Sequence, residues 1–148
     1  MHSSTRGLNG KVANKLIFPI CLYGKTNLDA FEIDQVVCLI ADFMSATVKA
    51  FMEKDEAKKE ELMKKYTEED VPKYVGFLEG LLKNNGSGFF VGAAVSLADL
   101  VVYDFIWGLN QRMAAALENY PLVKGHLERI GAVPQIKTYV DARKPTTF

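Results

Sequence analysis

From Asn27 onward, apolar side chains recur every three or four residues, the repeat that gathers them on one side of an α-helix. Ile33, Val36, Val37, Ile40, Met44, Val48 and Phe51 form one stripe, and Leu39, Phe43 and Ala46 a second, so the first helix is long and covered on two sides. One side belongs to the core, and the other calls for a partner. Thr26, with Asp29 three residues on, supplies a capping-box start. The mixed-sign run over residues 53–61 reads as a solvated helix end or loop. Val71, Tyr74, Val75, Leu78, Leu81 and Leu82 then resume the helical spacing, with Pro72 in a first turn or kinking a longer helix. Asn84-Asn85-Gly86-Ser87-Gly88 ends that segment, because these residues accept a left-handed backbone.

The sharpest local pattern is Val95-Ser96-Leu97-Ala98-Asp99-Leu100. In a capping box the Ser96 hydroxyl accepts from the Asp99 amide, the Asp99 carboxylate accepts from the Ser96 amide, and Val95 packs on Leu100. The helix that starts there carries Ala98, Val101, Val102, Phe105, Leu109 and Met113, a face wide enough for a central, largely buried helix. Two shorter helices begin at Pro121 and Pro134, residues suited to a first turn. No strand-like alternation and no fixed-period repeat follow Asn27. The predicted fold is all-α, a bundle of five or six helices with the longest first.

At 148 residues the chain suits one domain, and 49% hydrophobic with 24% charged residues is a globular composition. Lys and Arg number 18, as do Asp and Glu, so there is no net charge to hold nucleic acid or a membrane surface. The apolar run at residues 16–23 is far short of the roughly 20 residues that span a bilayer. It also starts late, contains Pro19 and lacks a small-x-small cleavage site, so no secretory leader is expected. Cys21 and Cys38 are too few for a disulfide framework and read as packed thiols in a reduced, cytoplasmic protein. Dinucleotide, phosphate-loop, zinc-protease and serine-hydrolase motifs are all missing. His126 reads as an ordinary surface histidine, since a ligand or general base needs partners.

Six motifs, in their order and spacing, resemble the C-terminal helical domain of the glutathione transferases, especially the sigma-like and nematode members. They are Tyr23-Gly24-Lys25-Thr26, Asp42-Phe43-Met44, Gly88-Phe89-Phe90-Val91-Gly92 leading into the Ser96 and Asp99 box, Tyr120-Pro121-Leu122-Val123, Ala132-Val133-Pro134-Gln135-Ile136 and Arg143-Lys144-Pro145-Thr146-Thr147-Phe148. The resemblance spans residues 23–148, while residues 1–22 match no part of the family. It implies conjugation of glutathione to electrophiles, with glutathione as co-substrate and neither a cofactor nor a metal. It also implies a homodimer, or a heterodimer with full-length relatives.

Members of that family carry an N-terminal thioredoxin-like domain, whose hydroxyl, usually of Tyr, stabilises the glutathione thiolate. Residues 1–22 hold no counterpart of it, so no catalytic residue is assigned and the isolated chain is expected to be nearly inactive. By the resemblance, Asp42 is the carboxylate that reaches the amino group of glutathione bound on the other subunit. The pattern adds that Asp42 is the only acidic residue in residues 35–52 and lies about 180° from the main stripe. Met44, Val101, Phe105 and Phe148 match positions that line the family's pocket for the apolar second substrate. Two functions compete: a transferase subunit, or a non-catalytic helical module that binds apolar ligands or pairs with full-length relatives. A truncated gene product, its residues 1–22 translated from non-coding sequence, is a third origin.

Overall fold

The computed structural model of the protein describes residues 22–143. Cys21 and Phe148 therefore lie outside the described residues. Six α-helices follow one another: α1 (Asn27–Met52), α2 (Glu56–Lys65), α3 (Val71–Asn85), α4 (Leu97–Arg112), α5 (Pro121–Gly131) and α6 (Pro134–Ala142). A π turn, Tyr66–Asp70, joins α2 to α3, and a 3₁₀ turn, Ala114–Leu117, follows α4. No strand occurs among the described residues, so the all-α bundle is as the periodicity predicts. The mixed-sign run is solvated, as expected, yet much of it is helical: Asp55 caps α2, and no residue of α2 is buried.

α1 starts at the predicted box. The Asp29 amide donates to Thr26 Oγ1 at 3.1 Å, and the amides of Thr26 and Lys25 donate to Asp29 Oδ2 at 3.1 and 2.7 Å. Its buried seam is Ile33, Val36, Ile40, Phe43 and Ala50, with Thr47 half-buried between the last two. Steps of three and four alternate strictly along that seam, the narrow geometry of one helix lying along another. Phe43 is thus core, and Met44 and Val48 are about half exposed, at 49% and 51%, a correction to the stripe that grouped them with Ile33. By length and apolarity α1 would also suit a membrane span. Here its seam packs on α4, and Asp34, Asp42 and Lys49 stand exposed on its other faces.

α2 and α3 form one path interrupted by the π turn, and Pro72 accounts for the interruption. Proline has no N–H to give and its ring crowds the carbonyl four residues back. A locally wider turn relieves both, and the Val71 amide reaches back five residues to the Tyr66 carbonyl. The Pro72 carbonyl accepts the Tyr120 hydroxyl at 3.1 Å, which ties α3 to the segment before α5. α3 closes at Gly86, whose φ of 67° is the left-handed cap, and its amide donates to the Leu82 carbonyl.

The core is centred on α4, which touches α1 and α5. Its capping box forms, and the box does more than start a helix. Asp99 is fully buried, with Oδ2 accepting the Ser96 amide and hydroxyl, each at 2.8 Å. Oδ1 accepts the Phe90 amide and His126 Nε2, each at 2.9 Å. The expectation of a surface His126 is therefore corrected: its ring is fully buried, edge-on to Phe90, and joins α5 to α4. The carboxylate only accepts, so Nε2 carries the proton, while Nδ1 is buried without a partner among the described residues. α5 gains a second long-range cap, since Glu79 accepts the Leu122 and Val123 amides at 3.0 and 2.9 Å. Pro121 ahead of them has no amide to satisfy.

Burial alone would raise the Asp99 pKa, but the bonds from His126, Phe90 and Ser96 outweigh it and hold the carboxyl below the ordinary 3.8. A carboxylate with a lowered folded pKa stabilises the fold above its unfolded value, and that stabilisation is lost as pH falls through the lowered one. Ser96→Ala should cost about 1 kcal/mol, as loss of a cap does. Asp99→Ala, which orphans an imidazole and two amides, should cost about 3 kcal/mol or more. Denaturant titrations measure both. The stability gap between the native chain and Asp99→Asn should narrow as the pH drops below about 4.

Candidate functional site

A cleft of about 730 Å³ opens beside α1, α4 and the end of α6. Met44, Thr47 and Phe51 come from α1, Phe105, Trp107, Leu109 and Arg112 from α4, and Val140 from α6. Tyr66 enters from the π turn. Most of that surface is apolar side chain, as small-molecule sites generally are. Aromatic packing braces it from behind: the Phe43 ring lies 4.9 Å from Phe105 and 4.8 Å from Tyr74, and Phe51 meets Tyr66 edge-on at 5.8 Å.

Two hydroxyls border the cleft, and each has a fixed task. Thr47 Oγ1 donates its one proton to the Phe43 carbonyl at 2.9 Å, so Tyr66 must be the donor in the 2.9 Å bond between them. Tyr66 is fully buried, and burial raises its pKa above 10.0 despite the Thr47 bond and the nearby Arg112 charge. A phenol so held keeps its proton at neutral pH. Two guanidinium groups stand at the rim: Arg112 is 5.6 Å over the Phe51 ring, and Arg143 is 5.9 Å over Trp107 and 3.4 Å from Asp104.

A second depression, about 470 Å³, runs between α1 and α3. Gln35, Cys38, Leu39 and Asp42 border it on one side, and Gly76, Phe77 and Gly80 on the other. The two glycines keep the α3 side low, and Phe77 is 52% exposed. Cys38 is exposed, a correction to the packed thiol, because among the described residues no other helix covers that face of α1.

Met44 and Phe105, assigned to an apolar site from sequence, thus meet at the cleft. Val101 is half-buried against the core and does not border it. Asp42 is exposed at the α1–α3 groove and is not brought together with the cleft residues. Trp107, Tyr66 and Arg112 went unremarked in the sequence. Arg112 could have been found, since it follows Phe105 by seven residues and Leu109 by three on one helical face. Among the described residues no cluster of His, Cys, Asp or Glu could hold a metal ion.

The family model described as "Glutathione S-transferase, C-terminal domain" matches residues 41–143. The chain belongs to the glutathione S-transferase family. A glutathione S-transferase of Plasmodium yoelii yoelii is 30% identical over 127 residues, which cover 84% of this chain and 57% of the relative. S-crystallin SL11 of Nototodarus sloanii is 30% identical over 128 residues, covering 85% of this chain and 62% of the relative. The chain thus spans about three-fifths of the length of these relatives. The fold matches the structure of prostaglandin synthase D of Nilaparvata lugens with a TM-score of 0.81 and 23% identity, over 99% of this chain and 73% of the other. In this domain Tyr66→Phe removes only the bond to Thr47, whose proton stays on Phe43. The cost should be about 1 kcal/mol in a denaturant titration. An ultraviolet titration should lose one tyrosine that ionises above 10.0.

Proposed function

We propose that this chain is the helical half of a glutathione transferase that conjugates glutathione to apolar electrophiles in the cytoplasm. Residues 23–148 form the helical domain in this reading, with residues 1–22 outside it. Met44 and Phe105, with Phe148 added by the family resemblance, make the wall for the electrophile, and Asp42 holds the amino group of glutathione bound on a partner subunit. The observation that carries the reading is the convergence of Met44 and Phe105 on one apolar cleft in a member of this family. The α1–α3 groove, apolar at Leu39 and Phe77 with Asp42 at its edge, is the contact surface of a homodimer or of a heterodimer with full-length relatives. Conjugation needs an ionised thiol held beside the electrophile, and a thiol of pKa about 8.5 needs a donor to ionise at neutral pH. Glutathione is the co-substrate, and the thiolate-activating hydroxyl belongs to a thioredoxin-like domain.

A second reading, a non-catalytic module that binds apolar ligands, is favoured by the commitment of both cleft hydroxyls to Phe43 and to each other. One set of proteins separates the two. The 148-residue chain by itself should show negligible conjugation of an aryl halide and no useful retention on immobilised glutathione. A fusion that places a sigma-like thioredoxin domain ahead of Gly24 should recover both. In that fusion Asp42→Ala should weaken glutathione binding about tenfold, the scale of one lost charged hydrogen bond, and leave the apolar substrate unaffected. A folded fusion that stays inactive would favour the module, and rapid turnover by the short chain would overturn the assignment of the thiol-activating group.

A further inference from the structure

We infer that the cleft selects apolar molecules that end in a carboxylate, and that Arg112 is the residue that receives the anion. The inference rests on reading the cleft as the second-substrate site and adds the class of molecule it takes. Two guanidiniums stand at a mostly apolar cleft, and they are not equivalent. Arg143 lies 3.4 Å from Asp104, so its charge is already answered. Arg112 has no acidic partner within ion-pair distance among the described residues.

Position reinforces the difference. Arg112 is 5.6 Å over the Phe51 ring, so its fork is held beside the apolar wall instead of sweeping through solvent. Five N–H donors in a plane suit a carboxylate, which they can bind through two parallel bonds. Asp104, paired with Arg143, stands toward the other end of the cleft, where no uncompensated cation competes for an anion. It lies eight residues earlier on α4, about 12 Å at 1.5 Å per residue. A carboxylate is therefore directed to Arg112, while its hydrocarbon lies along Phe105 and Leu109 toward Trp107 and Val140.

The chain carries one tryptophan, and Trp107 is in this cleft, so its fluorescence reports occupancy directly. Decanoate and 1-decanol, matched in chain length and different in charge, are titrated separately into the full 148-residue chain. Decanoate should perturb Trp107 at about one-tenth the concentration that decanol needs, a charged hydrogen bond discounted for a solvent-exposed rim. Arg112→Gln should abolish the preference with decanol affinity unchanged, and Arg112→Lys should keep part of it. Circular dichroism confirms that each variant is folded. Equal affinity for the two probes, or a preference that survives Arg112→Gln, would overturn the anion assignment and leave the apolar site standing. If neither probe disturbs Trp107, the anion assignment and the cleft as a second-substrate site both fall, whereas the glutathione-dependent fusion experiment still speaks for itself.

Discussion

A single buried carboxylate holds the middle of this fold in register. Asp99 lies at the start of α4, and its two oxygens accept from Ser96, from the Phe90 amide and from His126. Each partner belongs to a different stretch of chain: the α4 cap, the connection from α3, and α5. An unpaired charge at such a site would be untenable, so the bonds must all form together or the helix start must open to water. The Leu22 carbonyl completes the end by accepting the Leu97 amide at 2.8 Å, so one more of the four amides that a helix start leaves free is satisfied. Once the start of α4 is fixed, its remaining turns set where Phe105, Trp107 and Arg112 stand. The cleft therefore inherits its geometry from a carboxylate that does not border it.

The other wall depends on a defect in a helix. Without the π turn, Pro72 would break the path from α2 to α3 in an uncontrolled way. With it, the ladder shifts by one residue and Tyr66 is buried, where its hydroxyl finds Thr47 on α1. The Thr67 hydroxyl bonds back to the Met63 and Lys64 carbonyls, both at 3.0 Å, which satisfies backbone acceptors beside the widened turn. The widened turn thus fixes where Tyr66 meets the cleft, and its backbone is not left unsatisfied.

Local signals and long-range ones differed sharply in how far they could be read. Capping boxes at Thr26 and Ser96, prolines at 121 and 134 and the glycine stop at 86 act within a few residues, and each helix boundary they implied is present. Periodicity alone was less sharp on α1, where Phe43 and Met44 are adjacent and equally apolar. Which of the two points inward depends on where α4 lies, and no spacing within α1 encodes that. His126 failed for a related reason: its partner is 27 residues away, and the neighbouring Lys124 and Glu128 are exposed. Glu79 was likewise invisible as the cap of α5, since a carboxylate in the middle of one helix gives no local sign that it serves another. Of the cleft, Met44 and Phe105 were legible through family resemblance, while Trp107 needed the position of α6 relative to α4.

α1 carries three separate duties, and their angular separation explains its composition. Its seam from Ile33 to Ala50 is closed by α4, so those positions are strictly apolar or, at Thr47, polar with an internal partner. Met44 and Phe51, each one position past a seam residue, face the cleft, where a flexible thioether and a flat ring suit varied apolar shapes. Gln35, Cys38 and Asp42 occupy a third face, toward the α1–α3 groove, and are small or polar enough to stand in water. Large apolar residues nevertheless remain outside: Leu28 is 64% and Phe31 67% exposed near the start of the helix, and Met52 73% at its end. Scattered exposure of this kind is ordinary in itself, but here it flanks a groove with Leu39 and Phe77 in its lining, and contiguous apolar surface is what a binding partner covers. The same helix that buries one face in the core therefore leaves a second face on the cleft and a third, partly apolar, exposed at the α1–α3 groove.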